Sequence, residues 1–251
     1  GLGDVYKRQA MVLSRMGHGI ACRNCFYGIG NNYLSELARY ASIPVMSLQD
    51  DLYHPMQAIA DLMTIQEYFG ENTKGLKITI SWAYATSHAK PLSVPQSQIL
   101  LFTRFGMDVT VAAPKEFPLM KDLVESAREN AAQNGGQIRF VDNMDEGFKD
   151  AQIVIPKNWG GFANYTFDEY NQNEDACRKE MKANLEKHKD WICDSDMMKL
   201  IDPSGIYLHC LPCDRGFEVT NDVIDGPQSA AFDEAENRLH VEKAVMSLVM
   251  R

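Results

Sequence analysis

Five short runs of mostly apolar and β-branched residues, at 76–82, 108–112, 137–141, 152–156 and 205–208, recur through the later part of this 251-residue chain. Helical patterns leading to Arg104, over 117–134 and over 144–150 lie between them. Runs this short and this uniformly apolar read as strands buried on both sides. Alternating with helices, they require a parallel sheet covered on both faces. The first strand runs into Ala83-Tyr84-Ala85-Thr86-Ser87-His88, with no Gly-x-Gly-x-x-Gly turn, so the pattern lacks the fingerprint of a nucleotide-dependent oxidoreductase.

The earlier part repeats the alternation on a smaller scale. Residues 1–9 (Gly-Leu-Gly-Asp-Val-Tyr-Lys-Arg-Gln) show no periodicity and no join to the pattern that begins at Ala10, and are set apart as an artefactual leader. From Ala10 the expected order is a short helix, a strand at 19–23, a glycine-rich loop, and a helix at 31–41 capped by Asn31 or Asn32 with Leu34, Leu37, Ala38 and Ala41 as its stripe. A strand at 44–48 comes next, then His54 at a turn, then a helix opened by Pro55 and closed by Gly70. Residues 70–75 are polar and read as an interdomain link. The fold class is therefore α/β, with two doubly wound parallel-sheet domains of which the first is incomplete: 10–73, then 74–226, with 227–251 a C-terminal helix closing back on the first.

Hydrophobic residues make up 45% of the chain, enough for a sizeable core. A net charge of -9 offers no basic face for nucleic acid or for an anionic membrane surface. No run approaches the roughly 18 apolar residues of a membrane span, and the expectation is a cytoplasmic protein. Six cysteines include the pairs Cys22/Cys25 and Cys210/Cys213, spaced too far apart for a zinc ribbon, so reduced thiols and no metal or cofactor are expected. The charged stretch 162–189 reads as an insertion, either a solvated face or a mobile cover over a site.

Polar residues gather where strands end. Arg23, His54 with Gln57, Lys157 with Asn158 and Trp159, and Cys210 with Leu211 all fall at such ends, and Arg238 lies on the C-terminal helix, expected to bury Leu239, Ala244, Val245 and Leu248. Carboxyl ends of parallel strands are where open α/β sheets bind ligands.

Two stretches carry a resemblance. His209-Cys210-Leu211-Pro212 followed by Glu236-Asn237-Arg238, together with His54-Pro55-x-Gln57 and Ala60-Asp61-Leu62, resemble the aspartate/ornithine carbamoyltransferase superfamily across roughly 10–251. The resemblance implies carbamoyl transfer from carbamoyl phosphate to an amino-acid amine, a homotrimer, and no metal. It implies that Arg23 and His54 hold the carbonyl oxygen of carbamoyl phosphate, where charge builds as the amine attacks. Gln57 would fix the carbamoyl group, the Cys210 and Leu211 carbonyls would accept from its amino group, and Arg238 would contact its oxygens. The superfamily's Ser-x-Arg-Thr phosphate cradle is missing, so the chain is expected to be cut upstream and inactive alone.

On the acceptor side, Lys157 stands where ordinary ornithine carbamoyltransferase has an Asp for the free α-amino group, and a cation cannot accept from an amine. Lys157-x-Trp159-Gly160, with Lys90 and Ser93 around the proline-bearing loop, resembles instead the knotted branch acting on N-acetylornithine and N-succinylornithine. An N-blocked ornithine analogue or ureido-type acid is the expected acceptor. Ordinary ornithine transfer and a non-catalytic scaffold are the alternatives.

Overall fold

The computed structural model describes residues 2–250. Its elements, in chain order, are α1 (Leu2–Leu13), β1 (Ile20–Asn24), α2 (Gly30–Tyr40), β2 (Val45–Asp50), α3 (Pro55–Phe69), β3 (Lys77–Trp82), α4 (Ser93–Arg104), β4 (Asp108–Ala112), α5 (Lys121–Asn134), β5 (Gln137–Val141), α6 (Met144–Phe148), β6 (Ile153–Lys157), α7 (Phe167–Gln172), α8 (Glu174–Leu185), α9 (Ser195–Met198), β7 (Ile206–Tyr207), α10 (Asn221–Ile224) and α11 (Ala231–Val249). Two parallel sheets result: β1 beside β2, and a five-stranded sheet in the order β5-β4-β3-β6-β7. This is the expected class, two α/β units with parallel sheets.

Central position explains the uniform apolar runs. After Lys77, every residue of β3 is buried, and all of β6 is. Edge strand β5, by contrast, exposes Phe140. Trp82 at the end of β3 stacks on Phe117 with ring centroids 4.5 Å apart, and its Nε1 donates to the Trp159 carbonyl at 2.9 Å.

Several local expectations change. Asn31 and Asn32 lie inside α2 and do not cap it. Asp51, after β2, accepts from the Gly28 and Asn31 N–H groups at 2.7 Å each, because a carboxylate at a helix start answers both the open donors and the dipole. Stretch 162–189 is neither wholly solvated nor detached. Its apolar side, with Phe162, Tyr170, Cys177, Met181 and Leu185, belongs to the main core. On α11 the predicted stripe faces outward in part: Leu239 is 57% and Leu248 71% exposed, while the buried face carries Ala231, Glu234, Asn237 and Val241. Burial there follows the polar surface offered by α3, since the Asn237 amide donates to Thr64 Oγ1 at 3.0 Å and Glu67 Oε2 at 2.7 Å. The stretch set apart as a leader is, from Leu2 on, continuous with the helix ending at Leu13, and Tyr6 packs edge-on against Tyr33 of α2.

Helices α3, α4 and α11 join the two units. Gln49 of β2 donates to Ser93 of α4 at 2.7 Å, and the His54 N–H to Ser97 of α4 at 2.8 Å. Among the described residues no helix is long and apolar enough to cross a membrane, and no cluster of His, Cys, Asp and Glu could hold a metal ion.

Candidate active site

The larger sheet grows from β3 outward through β4 to β5, then the chain returns to lay β6 and β7 on the other side of β3. The crevice outside the carboxyl ends of strands at such a reversal is the binding position of open α/β sheets. Trp82 and Lys157, register partners at the ends of β3 and β6, flank it. Asn158 fastens the two strand ends, its Nδ2 donating to the Ala83 carbonyl at 2.7 Å and its N–H to Glu218 at 2.8 Å. Lys157 is buried, and its ammonium donates to the Asn158 carbonyl at 2.9 Å.

His54 closes the crevice from the first unit. Its ring is buried and Nδ1 has no partner among the described residues. Burial, reinforced by the nearby cations of Arg238, Arg23 and Lys157, pushes its pKa down to about 3. The imidazole therefore stays neutral and offers one N–H donor. Arg238 is held only loosely, 3.9 Å from Glu242, and its buried Nε lacks a partner among the described residues. Arg23 is exposed at the end of β1. Three cations around a neutral donor suit a small anion that carries a carbonyl.

Gln57, one turn into α3, is wholly buried. Its Nε2 donates to Asp61 Oδ1 and Glu234 Oε1, both at 2.7 Å, and its Oε1 has no partner among the described residues. Asp61 accepts also from Gln98, and Glu234 from the His209 N–H, at 2.7 Å each. Desolvation raises both carboxyls, and the neighbouring Asp61 adds to the rise at Glu234.

At the end of β7, His209 Nδ1 accepts from the Leu211 N–H at 2.9 Å, which puts the ring proton on Nε2, 3.5 Å from Glu218. Leu211 sits at φ 45°, in the left-handed region. Burial pushes the Cys210 thiol up to about 12, so it is no thiolate nucleophile at neutral pH. Glu218 is fully buried. Against the upward push of burial, His209, Lys157 and Lys90 hold its carboxyl well below the usual range. Lys90 lies 3.1 Å from Glu218 and 3.4 Å from Asp214.

The chain matches the family model of the aspartate/ornithine carbamoyltransferase carbamoyl-P binding domain over residues 2–67, and that of the Asp/Orn binding domain over residues 73–249. The chain belongs to the aspartate/ornithine carbamoyltransferase family. The carbamoyltransferase-like protein YgeW of Escherichia coli (strain K12) is 38% identical, across 97% of this chain and 68% of that protein. An ornithine carbamoyltransferase of Caldicellulosiruptor saccharolyticus is 36% identical, across 99% of this chain and 73% of its own length. Among solved structures, N-acetyl-L-ornithine transcarbamylase with acetylcitrulline superposes with a TM-score of 0.87 at 29% identity, over 98% of this chain and 72% of that one. The ornithine carbamoyltransferase of Pyrococcus furiosus gives 0.81 at 32%, over 98% and 70%.

In this carbamoyltransferase Arg238, Arg23 and Lys157 all lie near enough to His54 to act on its charge, Lys157 also acts on Cys210, and Gln57 is tied through Glu234 to the backbone at His209. Trp159 points elsewhere: its indole is fully buried and donates to the Phe117 carbonyl at 2.9 Å. Ser93 accepts from Gln49, and the Lys90 ammonium faces two carboxylates. Asp61, Glu234, Gln98 and Glu218 are also part of the arrangement, and sequence reasoning gave them no role there. A signal for Asp61 was present, because Gln57, Asp61 and Thr64 make a polar stripe at helical spacing on a mostly apolar helix.

Proposed function

We propose that this carbamoyltransferase moves the carbamoyl group between carbamoyl phosphate and the side-chain amine of an amino acid whose α-nitrogen is blocked, an N-acyl ornithine analogue or a ureido-type acid. The observation that carries the acceptor class is Lys157. A buried ammonium at the end of β6 repels a free α-ammonium group and attracts a carboxylate or acyl oxygen. On the donor side, Arg23 and the neutral His54 stabilise the carbonyl oxygen as the amine attacks, Arg238 takes the phosphoryl oxygens, and Gln57 with the Cys210 and Leu211 carbonyls takes the carbamoyl amino group. Phosphate leaves as the new C–N bond forms, and the amine proton departs with it.

Similarity to N-acetyl-L-ornithine transcarbamylase supports the blocked acceptor, while the 36% identity to an ornithine carbamoyltransferase keeps free ornithine as the alternative. Carbamoyl-phosphate consumption with ornithine, N-acetylornithine, N-succinylornithine and ureido acids plus phosphate, by the protein extended upstream so that it carries a Ser-x-Arg-Thr cradle, tests the reading. Turnover is expected with a blocked acceptor and not with ornithine, and Lys157→Asp is expected to reverse that preference. Turnover of the native chain with ornithine alone would overturn the role given to Lys157. The same reading includes a homotrimer with a trefoil knot in the second unit, located in the cytoplasm. Sedimentation at graded concentration tests the trimer.

A further inference from the structure

The amide of Gln57 has two possible orientations, and its surroundings allow one. Its nitrogen faces two carboxyl oxygens, Asp61 Oδ1 and Glu234 Oε1, each 2.7 Å away. Turning the amide over would set its carbonyl oxygen against both. Each acid is anchored on its far side, Asp61 by the Gln98 amide of α4 and Glu234 by the His209 backbone N–H, at 2.7 Å each. Neither acid is solvent-exposed, and the single Gln57 nitrogen bridges the two. Two full charges so placed would be prohibitive, so the pair holds a single proton between them.

One acid pair thus touches both halves of the region that meets the carbamoyl amino group. From α3 it aims the Gln57 oxygen outward, buried and without a partner among the described residues. From α11 it grips the backbone at His209, immediately before the carbonyls of Cys210 and Leu211. We infer that Asp61 and Glu234 are positioning residues that fix this array of acceptors, and that they thereby set selectivity for a carbamoyl group over an isosteric acetyl group, which has a methyl where the amino group would be. The inference rests on the proposed donor, carbamoyl phosphate. A buried acceptor left unanswered by a methyl group is costly, whereas an amide free to turn over tolerates either ligand.

Calorimetric binding of carbamoyl phosphate and of acetyl phosphate, to the native chain and to Glu234→Gln and Asp61→Asn, measures this directly. The native chain is expected to prefer carbamoyl phosphate by on the order of 10- to 100-fold. Both variants put an N–H where a donor already points, and are expected to bring the preference to within about threefold chiefly by losing carbamoyl phosphate affinity. A preference unchanged in folded variants would overturn the inference. Infrared spectroscopy of the native chain alone provides a ligand-free measurement that does not depend on the variants folding: a protonated-carboxyl carbonyl band should persist across the neutral pH range. Its absence overturns the shared proton. Failure of the native chain to bind carbamoyl phosphate while that band is present would remove the proposed donor and the selectivity with it, but leave the acid pair standing.

Discussion

His54 is neutral because of its surroundings. Burial and the cations of Arg238, Arg23 and Lys157 place its folded-state pKa near 3, below the ordinary 6.5. Between those values the unfolded chain takes up a proton that the folded chain refuses, so stability falls as pH drops through 6.5 and the loss is complete near 3. Glu218 acts in the same sense. Its carboxyl is depressed, so the stability it contributes is present above the ordinary 4.5 and is lost on further acidification. Denaturant midpoints are therefore expected to fall from neutral pH to about 4, and His54→Gln should flatten the upper part of that curve. A proton resonance of His54 titrating in the neutral range would contradict this. His54→Ala is expected to slow carbamoyl transfer by about 100- to 1000-fold, read in kcat/KM.

At the level of single elements, α2 and α11 show how a neighbour decides what a local pattern leaves open. Asp51 caps α2 across a sequence gap, and Asp51→Ala should cost about 1–2 kcal/mol, lowering Tm by about 2–8 °C in a thermal melt. On α11, Asn237→Ala leaves the groups of Thr64 and Glu67 without their partner and should cost about 1–3 kcal/mol, whereas Leu239→Ser on the exposed side should stay within about 0.5 kcal/mol. The opposite ranking would restore the apolar stripe as the buried face. Hydrophobic periodicity located these helices correctly. It misjudged the face because it counts apolar residues, and the surface that receives α11 presents Gln57, Asp61, Thr64 and Glu67 at the positions that meet its buried side.

The whole molecule behaves as two sheets held by three helices and a web of buried side chains. Tyr27, on the loop after β1, stacks on Phe162 at 4.9 Å and donates to the Tyr165 carbonyl at 3.0 Å, adding a further tie. All three tryptophans, Trp82, Trp159 and Trp191, lie in the second unit, so their fluorescence reports that unit while circular dichroism reports both. The two signals are expected to change together on unfolding, and separate transitions would show that the units melt independently.

From the sequence alone came the α/β class, the bounds of β4 and β5 to the residue, the strand ends that carry His54, Lys157 and Cys210, and the family. Those rest on local period, turn chemistry and the spacing of motifs, all of which act over a few residues. The tertiary structure alone decided that Asp51 caps α2, that Glu218 meets Lys90 and His209, and that Glu234 of α11 closes on Gln57 of α3 from 177 residues away, beside Asp61. An Asp in a helix reads as solvated until a second buried acid and a neighbouring amide are brought against it, and only the folded chain brings them together.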